Sequence, residues 1–140
     1  MRLYLDTTEW IYHFESSEKF GPAATALVDR MDRGHHTPIS SLFVLSEILV
    51  VPRRDEDEFA IAKLRRFFLS SAVTLAPYSL NAVELYTTHR AIHRVKALDA
   101  LHLAIAANAN VDYFVTSDAK LHKLSVPGIG RICPSESVGI

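Results

Sequence analysis

The chain opens on a short hydrophobic run, Leu3, Tyr4 and Leu5, that stops at Asp6. A run of that kind predicts a strand covered on both faces. Thr7, Thr8 and Glu9 then lead into WIYHF, which predicts a helix with Thr7 or Thr8 as its cap. From Pro22 to Arg33 the pattern has a helical period. Ala23, Ala24, Leu27, Val28 and Met31 form a stripe, Pro22 suits the first turn, and Gly34 ends it. His35 to Ile39 reads as a strand leading to Ser40 and Ser41, either of which can cap an apolar helix running to Pro52. The acidic residues of the charged connection Arg53 to Glu58 are placed to start the helix FAIAKLRRFFL.

Val73 to Leu75 predicts another strand and Ser79 to Arg90 another helix. A long Ala- and Leu-rich helix follows, then a turn at Asn108 to Asp112, a strand at Tyr113 to Thr116, and a last short strand at Ile129 to Cys133. This alternation predicts an α/β fold, a single domain over residues 1–140 with a central, mainly parallel sheet flanked by helices. In such a sheet Asp6 stands at the carboxyl end of its strand, where open α/β folds bind their ligands.

With 140 residues and 49% hydrophobic content, one sizeable core is within reach. Apolar runs are broken well short of the roughly 20 residues of a membrane helix, and no basic start precedes an apolar signal segment. The expectation is a soluble, cytoplasmic protein without a membrane partner. Cys133 is the sole cysteine, which excludes an intrachain disulfide and a thiolate metal cluster and suits a core filler.

Four acids carry the chemical signal: Asp6, Glu47, Asp99 and Asp118. Two follow predicted strands and two lie in apolar helices, where a carboxylate is costly unless it is paired, hydrogen-bonded or metal-bound. Brought together, they would repel one another and raise one or more of their pKa values, a penalty that a divalent cation removes. All-oxygen ligation favours Mg²⁺ or Mn²⁺ over zinc, and the chemistry such a site supports is water attack on a phosphodiester. Taken singly, Asp6 and Asp118 are also ordinary cap or turn residues, and Glu47 and Asp99 ordinary partners for a base.

LDTTEWIYHF at positions 5–14, SSLFVLSEI at 40–48, KALDALHLAIA at 96–106 and FVTSDAKLHKL at 114–124 together resemble the four acidic motifs of PIN-domain ribonucleases. In size and motif style the chain is most similar to the VapC-like toxins of toxin-antitoxin pairs. The resemblance implies Asp6, Glu47, Asp99 and Asp118 as metal-site carboxylates for Mg²⁺, with Mn²⁺ as a substitute. It implies Thr116 as the hydroxyl that supports them, RNA as substrate, a cognate antitoxin as partner, and a homodimer. Thr8 departs from the Asn or Ser common at that position, and Trp10 is bulkier than the usual aliphatic residue.

The seven histidines are scattered. His102, one turn beyond Asp99, is expected to be a packed hydrogen-bond partner; His89 and His93 are expected to be solvated. Formal charge is -1, and setting aside the four site acids leaves a surface of +3. Arg90, Arg94 and Lys96, with His93, are placed to meet backbone phosphates. Other classes fit less well. An aspartyl phosphatase wants a second acid where Thr8 stands, a phosphoacceptor receiver wants a central Asp and a late Lys, and a dinucleotide fold wants a glycine-rich first turn. The remaining alternative is an inactive PIN-like module that binds RNA or a protein.

Overall fold

The computed structural model describes residues 1–140. Its sheet is built from β1 (Arg2–Leu5), β2 (Thr37–Ser40), β3 (Thr74–Leu75), β4 (Val111–Val115) and β5 (Ile129–Cys133), in the order β3-β2-β1-β4-β5. Every neighbouring pair is parallel. The helices are α1 (Thr7–Phe14), α2 (Gly21–Arg33), α3 (Leu42–Ile48), α4 (Val50–Arg54), α5 (Glu58–Phe68), α6 (Leu80–Ala91) and α7 (Ala97–Asn108). The α/β fold is therefore as expected, and the sheet is wholly parallel.

Hydrophobic runs become central strands because both faces are covered. Leu3, Tyr4 and Leu5 are fully buried, and the Tyr4 ring stacks on Phe114 of β4 at 5.4 Å. Burying each such side chain contributes about 1.5–3 kcal/mol against leaving it exposed. Trp10 and Phe68 form a second packing centre, meeting edge to face at 5.4 Å with Phe14 and Phe67 around them. Cys133 is buried and unpaired. No helix is long and apolar enough to cross a membrane.

Several boundaries differ from expectation, among them β2, which runs from Thr37 to Ser40 rather than from His35 to Ile39, and three differences have a clear local reason. The apolar helix from Ser41 breaks at Leu49 into α3 and α4. An unbroken helix would set the Pro52 ring against the carbonyl four residues back, whereas the break puts Pro52 in a first turn, where a missing N–H is harmless. The helix after β1 begins at Thr7, and Asp6 rather than a threonine caps it. β4 begins at Val111, two residues early, because the Val111 N–H bonds to the Gly128 carbonyl at 3.0 Å. Gly128 has φ 93°, and a Cβ there would lie 2.3 Å from the Ala107 carbonyl, so only glycine permits this approach.

The strand order fixes where a ligand can sit. From β1 the chain builds outward through β2 and β3, then crosses back to place β4 on the other side of β1. The strand order reverses between β1 and β4, and a crevice opens at their carboxyl ends. Asp6 ends β1, and Thr116, Ser117 and Asp118 follow β4.

Candidate active site

Asp6 is held at both carboxylate oxygens. Oδ1 accepts the Thr7 N–H at 2.8 Å, capping α1, and Oδ2 accepts the Thr116 hydroxyl at 3.0 Å. The cap reading and the site reading of Asp6 are therefore compatible: one oxygen serves the helix while the group faces the crevice. Thr116 is almost fully buried, and its Oγ1 also accepts the Asp118 N–H at 3.2 Å. Asp118 in turn accepts the Lys120 N–H at 3.0 Å, which folds the loop after β4 back on itself.

Asp99 reaches the same crevice from the first turn of α7. Asp6, Asp99, Asp118 and Thr116 line one concavity, together with Thr8, Tyr12 and Ser117. Burial raises the Asp6 carboxyl above its ordinary value, and Glu47 adds to the rise, against lowering by His102, Thr116 and Thr7. Asp99 is also raised, first by burial and then by the charges of Asp6 and Asp118, with His102 and Lys96 opposing. These carboxylates feel one another, as the sequence predicts for a convergent set.

Glu47 is placed differently. It does not line that concavity; its Oε1 accepts the Thr7 hydroxyl at 3.0 Å and bonds His102 Nε2. Burial alone would raise it, but the bond and charge of His102 and the Thr7 bond more than reverse that and hold the carboxyl below its ordinary value. Glu47 therefore stays anionic beside Asp6, joined to it through Thr7. No three His, Cys, Asp or Glu side chains are gathered closely enough to enclose an ion.

Behind Glu47 runs a buried chain of polar groups. His102 is packed as expected, and its Nδ1 lies 2.7 Å from the Tyr4 hydroxyl, which is 3.2 Å from Ser41 Oγ. Burial pushes the Tyr4 hydroxyl well above its usual range, so it remains a proton donor. Glu9 is a second unanticipated residue. It is 2% exposed, and its carboxylate accepts the hydroxyls of Ser117 and Ser135, tying the loop after β4 and the C-terminal segment to α1. The one sequence signal was an acid on the inward side of the first helical turn.

One histidine expectation is corrected. His89 is buried rather than solvated, and its backbone carbonyl takes the Val95 N–H of the following loop at 3.1 Å. Arg90 is exposed and donates one guanidinium N–H to the Val95 carbonyl at 3.2 Å, which leaves its other donors unused.

A family model described as PIN domain matches residues 3–127. In structure the chain is similar to a chain of the complex VapBC2 from Rickettsia felis, solved bound to a DNA fragment from its promoter. The TM-score is 0.68 at 18% sequence identity, covering 95% of this chain and 97% of that one. The likeness is one of fold. No curated protein matches the chain in sequence.

Proposed function

The chain belongs to the PIN-domain family, and from that premise we propose that it is an Mg²⁺-dependent endoribonuclease, with Mn²⁺ as a substitute, that hydrolyses RNA phosphodiester bonds. The observation that carries this reading is the meeting of Asp6, Asp99 and Asp118 around one concavity at the β1–β4 crevice. Their donor set is all oxygen, which fits a hard divalent cation rather than zinc. Carboxylates that repel one another stand apart until a cation draws them in, consistent with the raised Asp99 carboxyl. Asp6, Asp99 and Asp118 would hold the ion, with Glu47 beside them. When bound, such an ion lowers the pKa of water and stabilises charge on the departing oxygen.

The chain's own residues supply orientation. Thr116 and the Thr7 amide fix the Asp6 carboxylate in the crevice. His102 and Thr7 both bond Oε1 of Glu47, which leaves Oε2 as the oxygen available to a water or a ligand. In this reading Glu47, kept ionised by its own hydrogen bonds, accepts a hydrogen bond from the attacking water and orients it.

The same reading makes the chain the toxin of a toxin-antitoxin pair in the cytoplasm, with a cognate antitoxin as partner and a homodimer as its assembly. Its likeness in fold to a chain of the VapBC2 complex supports this. The test is incubation of purified, antitoxin-free protein with total RNA and Mg²⁺ or Mn²⁺, with the cleavage ends mapped. Cleavage should vanish in chelator and in Asp6→Asn; cleavage that survives both overturns the proposal. Binding of RNA or a protein without any cleavage would favour an inactive PIN-like module, a reading that the engagement of Glu47 by His102 and Thr7 would then serve.

A further inference from the structure

Beside the carboxylate concavity lies another, of about 220 Å³, which shares Asp99 and Asp118 as its wall. Arg94, Lys96 and Lys120 line it, and Val95, Leu121 and Leu124 give it an apolar floor. The ion pairs of the whole chain are Arg53–Glu58 and His102–Glu47, so all three cations are unpaired. The loop that carries Arg94 is nevertheless built, not slack. Arg90 and the Val95 N–H pin it to α6, and within it Arg94 adopts φ 53°, a left-handed conformation unfavourable for a bulky side chain.

Unpaired cations over an apolar floor suit a ligand with a negative group and a flat ring. Resting on the nuclease reading of the neighbouring concavity, we propose that this cavity is the subsite for one unpaired nucleotide flanking the scissile phosphate. The nucleotide's phosphate lies on Arg94, Lys96 and Lys120, and its base lies on Val95, Leu121 and Leu124. A base inside a duplex cannot enter such a cavity without leaving its stack, so the RNA is single-stranded at this nucleotide. The lining has no Asn, Gln, Phe, Tyr or Trp, only His93 at its side, so the site selects for an exposed base more than for its identity.

The test is equilibrium binding of a fluorescent single-stranded RNA and of the same sequence closed into a duplex. It is run in Ca²⁺, with a gel to confirm that the RNA stays intact, on the full chain and on Arg94→Ala/Lys120→Ala. All three cations are exposed, so a thermal melt of the variant should match wild type. The single strand should bind at least tenfold more tightly than the duplex. The variant should lose about tenfold or more in affinity, and its log–log salt slope should fall by up to about 0.7, the value for the one single-strand phosphate that Arg94 and Lys120 share. Equal binding of single strand and duplex, no RNA binding by the full chain, or an unchanged variant slope overturns the subsite. Mg²⁺-dependent cleavage by the same preparations separates the two claims: cleavage with unchanged variant binding leaves the nuclease without this subsite, and binding as expected without cleavage leaves the subsite without the nuclease.

Discussion

Tyr4→Phe isolates the buried chain that supports Glu47. The Glu47 carboxylate is held ionised and only accepts, so the proton between it and His102 belongs to Nε2. The Tyr4 hydroxyl, at 2.7 Å, is the one hydrogen-bond partner of Nδ1. Removing one oxygen leaves almost no cavity but strands Nδ1 in a residue that is 2% exposed. An unsatisfied buried polar group costs about 1–3 kcal/mol, so about 2 kcal/mol is expected. At an m-value of about 2 kcal/mol/M, the urea midpoint falls by about 1 M. His102→Leu removes the stranded nitrogen, so the double variant should be less destabilised than the sum of the single variants, by about 1 kcal/mol or more. With the ring no longer held at Nδ1, Glu47 loses its fixed donor, and metal-dependent RNA cleavage should drop by about 10- to 100-fold. A Tyr4→Phe midpoint within about 0.3 M of wild type, or strict additivity in the cycle, refutes the chain of reasoning.

Glu9→Ala removes the acceptor shared by Ser117 and Ser135 and should cost about 3 kcal/mol, with Glu9→Gln near 1 kcal/mol because it keeps one acceptor oxygen; thermal unfolding and proteolytic release of the segment after Cys133 read both. Asp99→Asn removes a carboxyl that makes no hydrogen bond of its own and whose pKa is raised in the fold. A raised carboxyl favours the native state while protonated, and that contribution is lost as pH climbs past the ordinary value of 3.8 and through the higher folded value. In chelator the variant should therefore be more stable than wild type at pH 7 by about 0.5–1 kcal/mol, with the gap closing toward pH 4, while losing cleavage; a variant less stable than wild type at pH 7 contradicts the repulsion.

Most elements were legible in the pattern because β1 and β4 are short apolar runs and α2 and α5 carry apolar stripes. The acids were legible because an Asp after a strand and an Asp in so apolar a helix as LDALHLAIA both need an explanation. The partners of those acids were not. Tyr4, His102 and Glu47 meet across separations of 98 and 55 residues, and periodicity reports which face turns inward, not which polar tips then touch. His89 was misjudged for a related reason: helical spacing puts His89 and His93 on one face, but His89 is buried and His93 exposed, so burial divides a face that periodicity treats as one. Pro38 is a quieter case. It sits within β2, but β3 pairs only with Ile39 and Ser40, so no bond toward β3 is lost at the proline.

The four acids differ in how firmly they are anchored, and that difference has a consequence for binding. Asp6 is bonded at both oxygens and Glu47 twice at one, in each case by groups that are themselves buried in the fold. Asp99 has no hydrogen-bond partner for its carboxylate, and Asp118 is exposed on a short loop braced by Thr116 and by its own bond from Lys120. Tightening around a cation therefore has to come from Asp99 and the Asp118 loop, against a fixed Asp6. The same two acids form the wall shared with the cationic cavity. Drawing them toward an ion moves that wall away from the cations and lowers its negative charge, so metal and nucleotide would assist one another's binding without any change in the sheet.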